Sequence, residues 1–515
     1  MTTRSRLFTC LCLLAFLAFL AFLALQILAS SQKSFWEDEA FTAASVQRPI
    51  PELLAHPEDI DAYKPPLYFL AAAAWGAIFG YEELPLSSLS ILFSGLAFVL
   101  IVVLSNRIGE ARSALFTAAL LALSPLMLSY AHSVRYYSLA MLLVLCNLSI
   151  VLALNTSFRI WVLGGYMLVN IAQFYTIYTL VPVTLTCFAW LGIALARQRR
   201  WQLLALWVAA HAIVALGCLP WLGIMLQGAN TWTSSAQVSS QNFRSMLLAV
   251  VSRLAYVIIA FTAGETLVPT HLWALIALAI SMVAVSVGGW TLWRQRSAAG
   301  FLLGGVLITN IVVGVLINIA GVYPDNSPAA LSRRIFFVYP VFLLLAGIGL
   351  SSMRKLIAMS ALLALSVCHI VAMRNYFTGQ QFLQPIQAVP WREIMLSIQR
   401  EARSETIVIC SAGDSSCTYF VQRFGLPQGN VQTILAAPQA SGDVWWIQTN
   451  IGSDQHYDRS AEAVQLDALK QRFDAIDSTN YVLHDSAIRA LKRRLTGRTD
   501  YEYRVNVLHL RKPKR

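Results

Sequence analysis

The sequence predicts a mainly α-helical, polytopic membrane protein with a small α/β domain at its C-terminal end. Three observations predict it. Hydrophobic residues fill 57% of the 515 positions and charged residues only 12%, roughly half the charged share of an ordinary soluble domain. Apolar runs of about 20 residues, enough to span ~30 Å of hydrocarbon, recur along the chain. Arginine and lysine gather in short clusters between the runs: Arg4/Arg6, Arg107/Arg112, Arg197/Arg199/Arg200, Arg294/Arg296 and Arg354/Lys355. Such clusters mark cytoplasmic loops, because cationic segments resist translocation. The net charge of +12 therefore reports topology. No aromatic-lined basic groove accompanies it, so nucleic acid is not an expected partner.

The first run, 7–29, is longer than the ~7–15-residue core of a signal peptide. An uncleaved anchor is expected there, although Leu28-Ala29-Ser30 resembles a cleavage site. Further spans are expected near 87–105, 113–129, 136–154, 160–178, 180–196, 201–222, 271–293, 300–320, 335–352 and 356–373, eleven in all. An odd number places the N-terminus in the cytoplasm and the C-terminal region outside. Two apolar stretches stand apart. Residues 67–79 are too few to cross, and 245–261 carry Arg253 in their middle. A crossing by the second would move Arg294 and Arg296 to the outer side. Both are read as lying along, or re-entering, the outer interface. If both spanned, there would be thirteen helices with the same end-to-end parity.

Residues 1–373 are thus expected to form a transmembrane module, with a first outer loop at 31–86, and 374–515 an extracytoplasmic α/β domain. More than half of the 26 acidic residues fall in the latter. Its short apolar runs at 406–410, 443–447 and 503–508 read as strands, and 391–400 and 461–473 as helices. It has no glycine-rich phosphate loop and no nucleophile elbow. Recognition of an acceptor and plain scaffolding both fit it. Cys10, Cys12, Cys146, Cys187, Cys218 and Cys368 lie in apolar runs and read as small core residues. Cys410 and Cys417 lie in the polar region, where an oxidising compartment would permit a disulfide. Two buried thiols fit the spacing equally well.

Up to residue 373, acids are scarce outside the first outer loop: only Glu110, Glu265 and Asp325. Inside that loop, Phe35-Trp36-Glu37-Asp38-Glu39-Ala40-Phe41 sets three carboxylates among aromatics suited to interfacial depth. A carboxylate there loses part of its hydration, which suits it to take a proton. The same loop holds Asp61-Ala-Tyr-Lys64-Pro65-Pro66, whose prolines set a defined start for a short helix. Lysine just before a helix start makes an anion site.

Cations on the face where the topology depletes them are Lys33, Arg48, Lys64, Arg135, Arg244, Arg253, Arg333 and Arg334. Arg135, inside Val134-Arg135-Tyr136-Tyr137-Ser138, and the Arg333-Arg334 pair are both expected at helix starts. Arginine grips phosphate through two parallel hydrogen bonds, so these groups suit a phosphate-bearing amphiphile at headgroup depth. A phosphate clamped by cations leaves without a general acid, and one base then suffices to deprotonate an incoming hydroxyl. That logic is a single displacement at a sugar carbon, with inversion.

Trp-Glu-Asp-Glu-Ala, Lys-Pro-Pro-Leu-Tyr, Val-Arg-Tyr-Tyr-Ser-Leu and Arg-Arg-Ile-Phe-Phe-Val-Tyr-Pro occur in this order. Over roughly 1–375 the chain resembles the GT-C integral membrane glycosyltransferases that use polyprenyl-phosphate sugars. Protein O-mannosyltransferases and lipid A aminoarabinose transferases look most similar. The resemblance implies Asp38 as catalytic base, with Glu39 orienting or structural and Glu37 an ordinary loop residue. It implies Lys64, Arg135 and Arg334, with Tyr136 and Arg333 beside them, as the lipid-phosphate site; Asp61 and His132 are accessory candidates. Many relatives carry an acid near the Arg-Tyr motif, sometimes linked to a metal. Here His132 and Ser133 stand there, which weakens the case for a divalent ion, and no metal ligands are assigned. Trp221, Trp232 and Tyr175 suit sugar stacking or an interfacial aromatic belt.

The implied partners are a polyprenyl-phosphate-linked sugar, an acceptor lipid, protein or glycan, and membrane lipids. The implied location is a bacterial inner membrane with the C-terminal domain in the periplasm. Two other readings compete. A flippase for lipid-linked sugars requires polar groups deep in the helices, whereas the charges here collect at one face. A membrane-anchored scaffold requires the C-terminal domain and not Asp38.

Overall fold

The computed structural model describes residues 3–60, 63–235, 243–320, 327–403, 406–411, 414–429, 431, 443–450, 459–483 and 504–511. The chain forms two compact units, Met1–Ser31 with Ser45–Arg374 and Gln32–Ala44 with Asn375–Arg515.

The first unit is helical, and the chain is an integral membrane protein. Nine helices among the described residues are long and apolar enough to cross a membrane, ten if the bent pair Pro328–Arg334 and Phe336–Ser352 counts as one span. The expected eleven divide differently for physical reasons. Glu83–Ala122 contains two of the expected spans, parted where Gly109 and Glu110 leave helical geometry. The chain turns back there, since Ser105 and Thr117, twelve residues apart, share a hydrogen bond of 2.9 Å. A straight helix would hold them about 18 Å apart. Ile160–Thr176, expected to span, has only 17 residues and falls short of the helices long enough to cross.

Phe243–Ala263, expected to lie along or re-enter the interface, is instead among the helices long and apolar enough to cross, and its middle and its C-terminal end are tied to neighbouring elements. Arg253 Nε donates to Asn318 Oδ1 (2.5 Å), and the Asn318 amide donates to the Ser327 carbonyl (3.3 Å). At its C-terminal end, His369 Nε2 and the Thr262 carbonyl lie 3.1 Å apart, and just beyond it Thr266 Oγ1 donates to the Ala372 carbonyl (2.7 Å). Asn318 and Ala372 both lie near the C-terminal ends of their helices.

Close packing of Leu272–Arg294 on Tyr339–Ser352 depends on small residues. A Cβ at Gly288 would run into the Leu345 carbonyl, and one at Gly349 into that of Ala284. Uncharged amides tie three other helices together. Asn147 Nδ2 donates to Asn170 Oδ1 and Gln173 Oε1 (both 3.0 Å), and Thr184 Oγ1 donates to the same two oxygens (2.7 and 3.1 Å). These buried polar groups within the spans are a feature the sequence reading passed over.

The second unit contains the acidic helix Glu37–Ser45 at its start and a four-stranded sheet. Its strands are β1 (Ile407–Cys410), β2 (Val444–Asn450), β3 (Asp474–Val482) and β4 (Arg504–Arg511). The order is β1-β2-β4-β3, with β1 parallel to β2 and the other pairs antiparallel. Ile409, Val444, Trp446, Leu469, Phe473 and Leu510 build its core. A disulfide joins Cys410 at the end of β1 to Cys417 in the helix Ser415–Arg423. Asp443 anchors β4, accepting two donors from Arg511 and lying 3.0 Å from His509 Nε2. β3 escaped the sequence reading because its side chains are exposed on both faces, leaving no alternation to read.

Candidate active site

In the first unit, three of the expected site residues meet at one ring. Lys64 Nζ lies 5.9 Å from the centroid of Tyr136, and the Arg135 guanidinium 5.5 Å from the same centroid. Each position has a local cause. Pro65 and Pro66 precede the helix Leu67–Phe79, which begins where the prolines predict. Its 13 residues extend about 20 Å, short of a membrane crossing. Tyr63 adopts φ +66°, a conformation that costs ~1–3 kcal/mol and persists only where surroundings enforce it. Here the Trp221 indole donates to Tyr178 OH (3.0 Å), which donates to the Tyr63 carbonyl (3.0 Å). Trp221 is buried in that chain of bonds, so it braces the lysine turn. Tyr175 OH similarly donates to the Gly217 carbonyl.

Arg135 follows the short helix Pro125–Tyr130 and precedes Tyr137–Thr156. It is only 1% exposed, within a wall of aromatics: Tyr130 packs on Tyr137 (5.4 Å) and Phe336 (5.6 Å), and Tyr136 on Tyr137 (4.9 Å). His132 Nδ1 lies 3.1 Å from Gln26 Oε1.

Arg333 and Arg334 do not open a helix, as the sequence suggested. They close the helix Pro328–Arg334, ahead of a 51° bend. The cations suit that end because the last carbonyls of a helix carry partial negative charge. Arg334 also lines a small, mostly apolar pocket, with Pro182, Val313, Gly314, Ile317 and Ile335 along its wall. Phe336 brings this segment against Tyr130 and Tyr137.

One residue was seen in the sequence but given no role. Glu265 is buried and takes hydroxyl donors from Tyr130 (2.5 Å) and Ser332. Burial raises its proton affinity above the ordinary carboxylate range, against the pull of Ser332, Tyr130 and nearby Arg333. The available signal was a lone acid in an acid-poor stretch, placed directly after Gly264.

In the second unit, Asp38 and Glu39 sit in the first turn of Glu37–Ser45, where a helix dipole favours negative charge. They are not equivalent. The Trp36 N–H donates to Glu39 Oε2 (3.3 Å), the backward reach of a capping box. Glu39 is buried, whereas Asp38 is half-buried. Thr42 Oγ1 holds the turn through the Asp38 carbonyl (2.9 Å). Lys33, just upstream, lies over Phe382 (4.3 Å) and Tyr376 (4.6 Å), and burial brings its amine down to about 8.

Among solved structures, the chain is similar over nearly its whole length to ArnT from Cupriavidus metallidurans bound to undecaprenyl phosphate. Identity is 13% and the TM-score 0.57, covering 96% of this chain and 97% of that one. The apo state of the same protein gives 13% and 0.56 with the same coverage. The chain has the GT-C fold. An oligosaccharyltransferase from Archaeoglobus fulgidus, in complex with Zn and sulfate, gives 11% and 0.43 over 85% of this chain and 68% of that one. No family model and no curated protein matches the sequence.

Two expected features of this GT-C chain, Asp61 and the Trp232 side chain, lie outside the described residues. Among the described residues, no three His, Cys, Asp or Glu side chains converge where a metal ion could bind.

Proposed function

We propose that the chain is an inverting glycosyltransferase that moves a sugar from a polyprenyl monophosphate to an acceptor hydroxyl. The observation that carries this reading is the convergence of Lys64 and Arg135 on the Tyr136 ring. Both cations lie within about 6 Å of one ring centre, and a phosphate beside it can accept charge-assisted hydrogen bonds from both. The fold supports it, since ArnT of the same fold was crystallised with undecaprenyl phosphate. Arg334 completes the phosphate site, and the apolar wall beside it suits the hydrocarbon of the carrier.

The reaction is a single displacement. The acceptor oxygen forms a bond to the anomeric carbon as the bond from that carbon to the phosphate oxygen breaks. The hydroxyl proton passes to Asp38, and the polyprenyl phosphate departs with its charge taken up by Lys64, Arg135 and Arg334. Glu39, spent on the helix cap, supports the turn. We infer that this chemistry lies on the outer, periplasmic face of a bacterial inner membrane, with the N-terminus cytoplasmic, a reading supported by the distribution of the charge clusters.

The test is transfer from a labelled polyprenyl-phosphate sugar by membranes containing the protein, with the anomeric configuration of the product determined. Inverted product is expected. Retained configuration would exclude the single displacement, and absence of transfer from every such donor would exclude the donor class.

A further inference from the structure

Glu265 stands between the two segments of the first unit that carry the arginines. Its oxygens are divided between them: Tyr130 OH donates to Oε2 and Ser332 Oγ to Oε1. Tyr130 lies five residues before Arg135, and Ser332 immediately precedes Arg333 and Arg334. One carboxylate thus fastens both arginine segments at once.

The turn presenting this carboxylate is itself held on several sides. Gly264 has φ +79°, and a Cβ there would meet Pro125 at 2.8 Å, so a side chain is excluded on both counts. The flanking Thr262 and Thr266 are bonded to the helix Lys355–Phe377 at His369 and Ala372. A carboxylate 1% exposed is costly to bury unless its oxygens are satisfied. The Tyr130 and Ser332 hydroxyls, with Tyr256 and Arg333 also acting on the carboxylate, help meet that need, and doing so holds the two segments in place.

We propose that Glu265 is a positioning residue, which by bridging Tyr130 and Ser332 sets Arg135 and the Arg333-Arg334 pair at the separation required to hold one phosphate monoester. This rests on the reading of those arginines as the phosphate site. Glu265 touches no reacting atom, so its loss weakens donor binding and leaves the chemical step nearly intact.

The experiment measures binding of polyprenyl monophosphate to the purified full chain in lipid nanodiscs, beside kcat and donor KM. Glu265→Ala is expected to weaken binding and raise donor KM about tenfold or more, the scale of a lost hydrogen bond to a charged group. Its kcat should stay within about threefold. Glu265→Gln should bind within about threefold of wild type, because a hydroxyl donates to or accepts from an amide and both bridges survive. Tyr130→Phe and Ser332→Ala each cut one arm and keep the test open if Glu265→Ala does not fold. The double variant should be little worse than either single, since one cut already breaks the bridge.

Unchanged binding in folded Glu265→Ala, a Gln variant as weak as Ala, a loss confined to kcat, or strictly additive single-arm effects would each overturn the proposal. If wild type fails to bind polyprenyl monophosphate, the phosphate reading falls and this proposal with it. Wild-type binding with unaffected variants removes the bridge alone.

Discussion

The segment around Arg135 and the turn around Asp38 hold their charges in opposite ways. Arg135 is buried in an aromatic wall, its guanidinium shares the Tyr136 ring with Lys64, and the segment is fastened through Tyr130 to Glu265. Asp38 is half-buried in the first turn of a nine-residue helix, where the bonds include one from the Trp36 N–H to Glu39 and one from Thr42 to the Asp38 carbonyl. A group that grips a phosphate gains from being fixed in advance, because little ordering remains to be done on binding. A base must exchange a proton with each acceptor, and partial exposure suits that. The proposed function gives binding to the first set and chemistry to the second, and the contrast is consistent with that division.

The comparison breaks most visibly at Asp38. Asp38→Asn should lower kcat by roughly 10²–10⁴ and leave donor KM within about threefold. A comparable rise in KM would mean that Asp38 belongs to the binding set. Next in size, Lys64→Ala and Arg135→Gln should each raise donor KM by about 10–100-fold, the range for a lost charge-assisted hydrogen bond. Loss of kcat at constant KM in either would reverse its assignment.

Glu39→Gln sharpens the division within the acidic turn. A glutamine still reaches the Trp36 N–H, so kcat should change by less than about threefold, with at most ~1 kcal/mol lost from the cap. An effect as large as that of Asp38→Asn would make both acids catalytic. The smallest effect is expected at Asp443. Burial alone would raise its pKa, but hydrogen bonds from Arg511 and His509 win and hold it below the ordinary carboxylate range. Its stabilisation is therefore present above about pH 4 and is lost as pH falls through the lowered folded value. Asp443→Asn should flatten the acid limb of unfolding, read by far-UV circular dichroism, and leave transfer at pH 7 within about twofold.

Much of this was legible in the sequence because membranes impose simple rules. Apolar length gave most of the spans and proline the start of Leu67–Phe79, but Arg253 set 245–261 apart from helices with which its length and apolarity place it. The first outer loop and its motifs supplied the candidate residues, of which Lys64 and Arg135 lie near one ring. What escaped depends on three-dimensional neighbours. Arg333 and Arg334 close a short helix instead of opening a long one, since a bend after Arg334 leaves no trace in hydropathy. Glu265 was visible as an isolated acid, but its partners lie 135 and 67 positions away. The amide cluster of Asn147, Asn170, Gln173 and Thr184 was hidden because each residue alone reads as an incidental polar group in an apolar run.

The central claim, that binding and proton transfer reside in separate residue sets, is tested most directly by one paired measurement. Single-turnover transfer and equilibrium donor binding are compared for Asp38→Asn and Lys64→Ala in the same lipid. Asp38→Asn is expected to bind donor like wild type and to transfer at least about a hundredfold more slowly. Lys64→Ala, once saturated with donor, is expected to transfer within several-fold of the wild-type rate. Normal transfer by Asp38→Asn, or unchanged donor binding by Lys64→Ala, would contradict the claim.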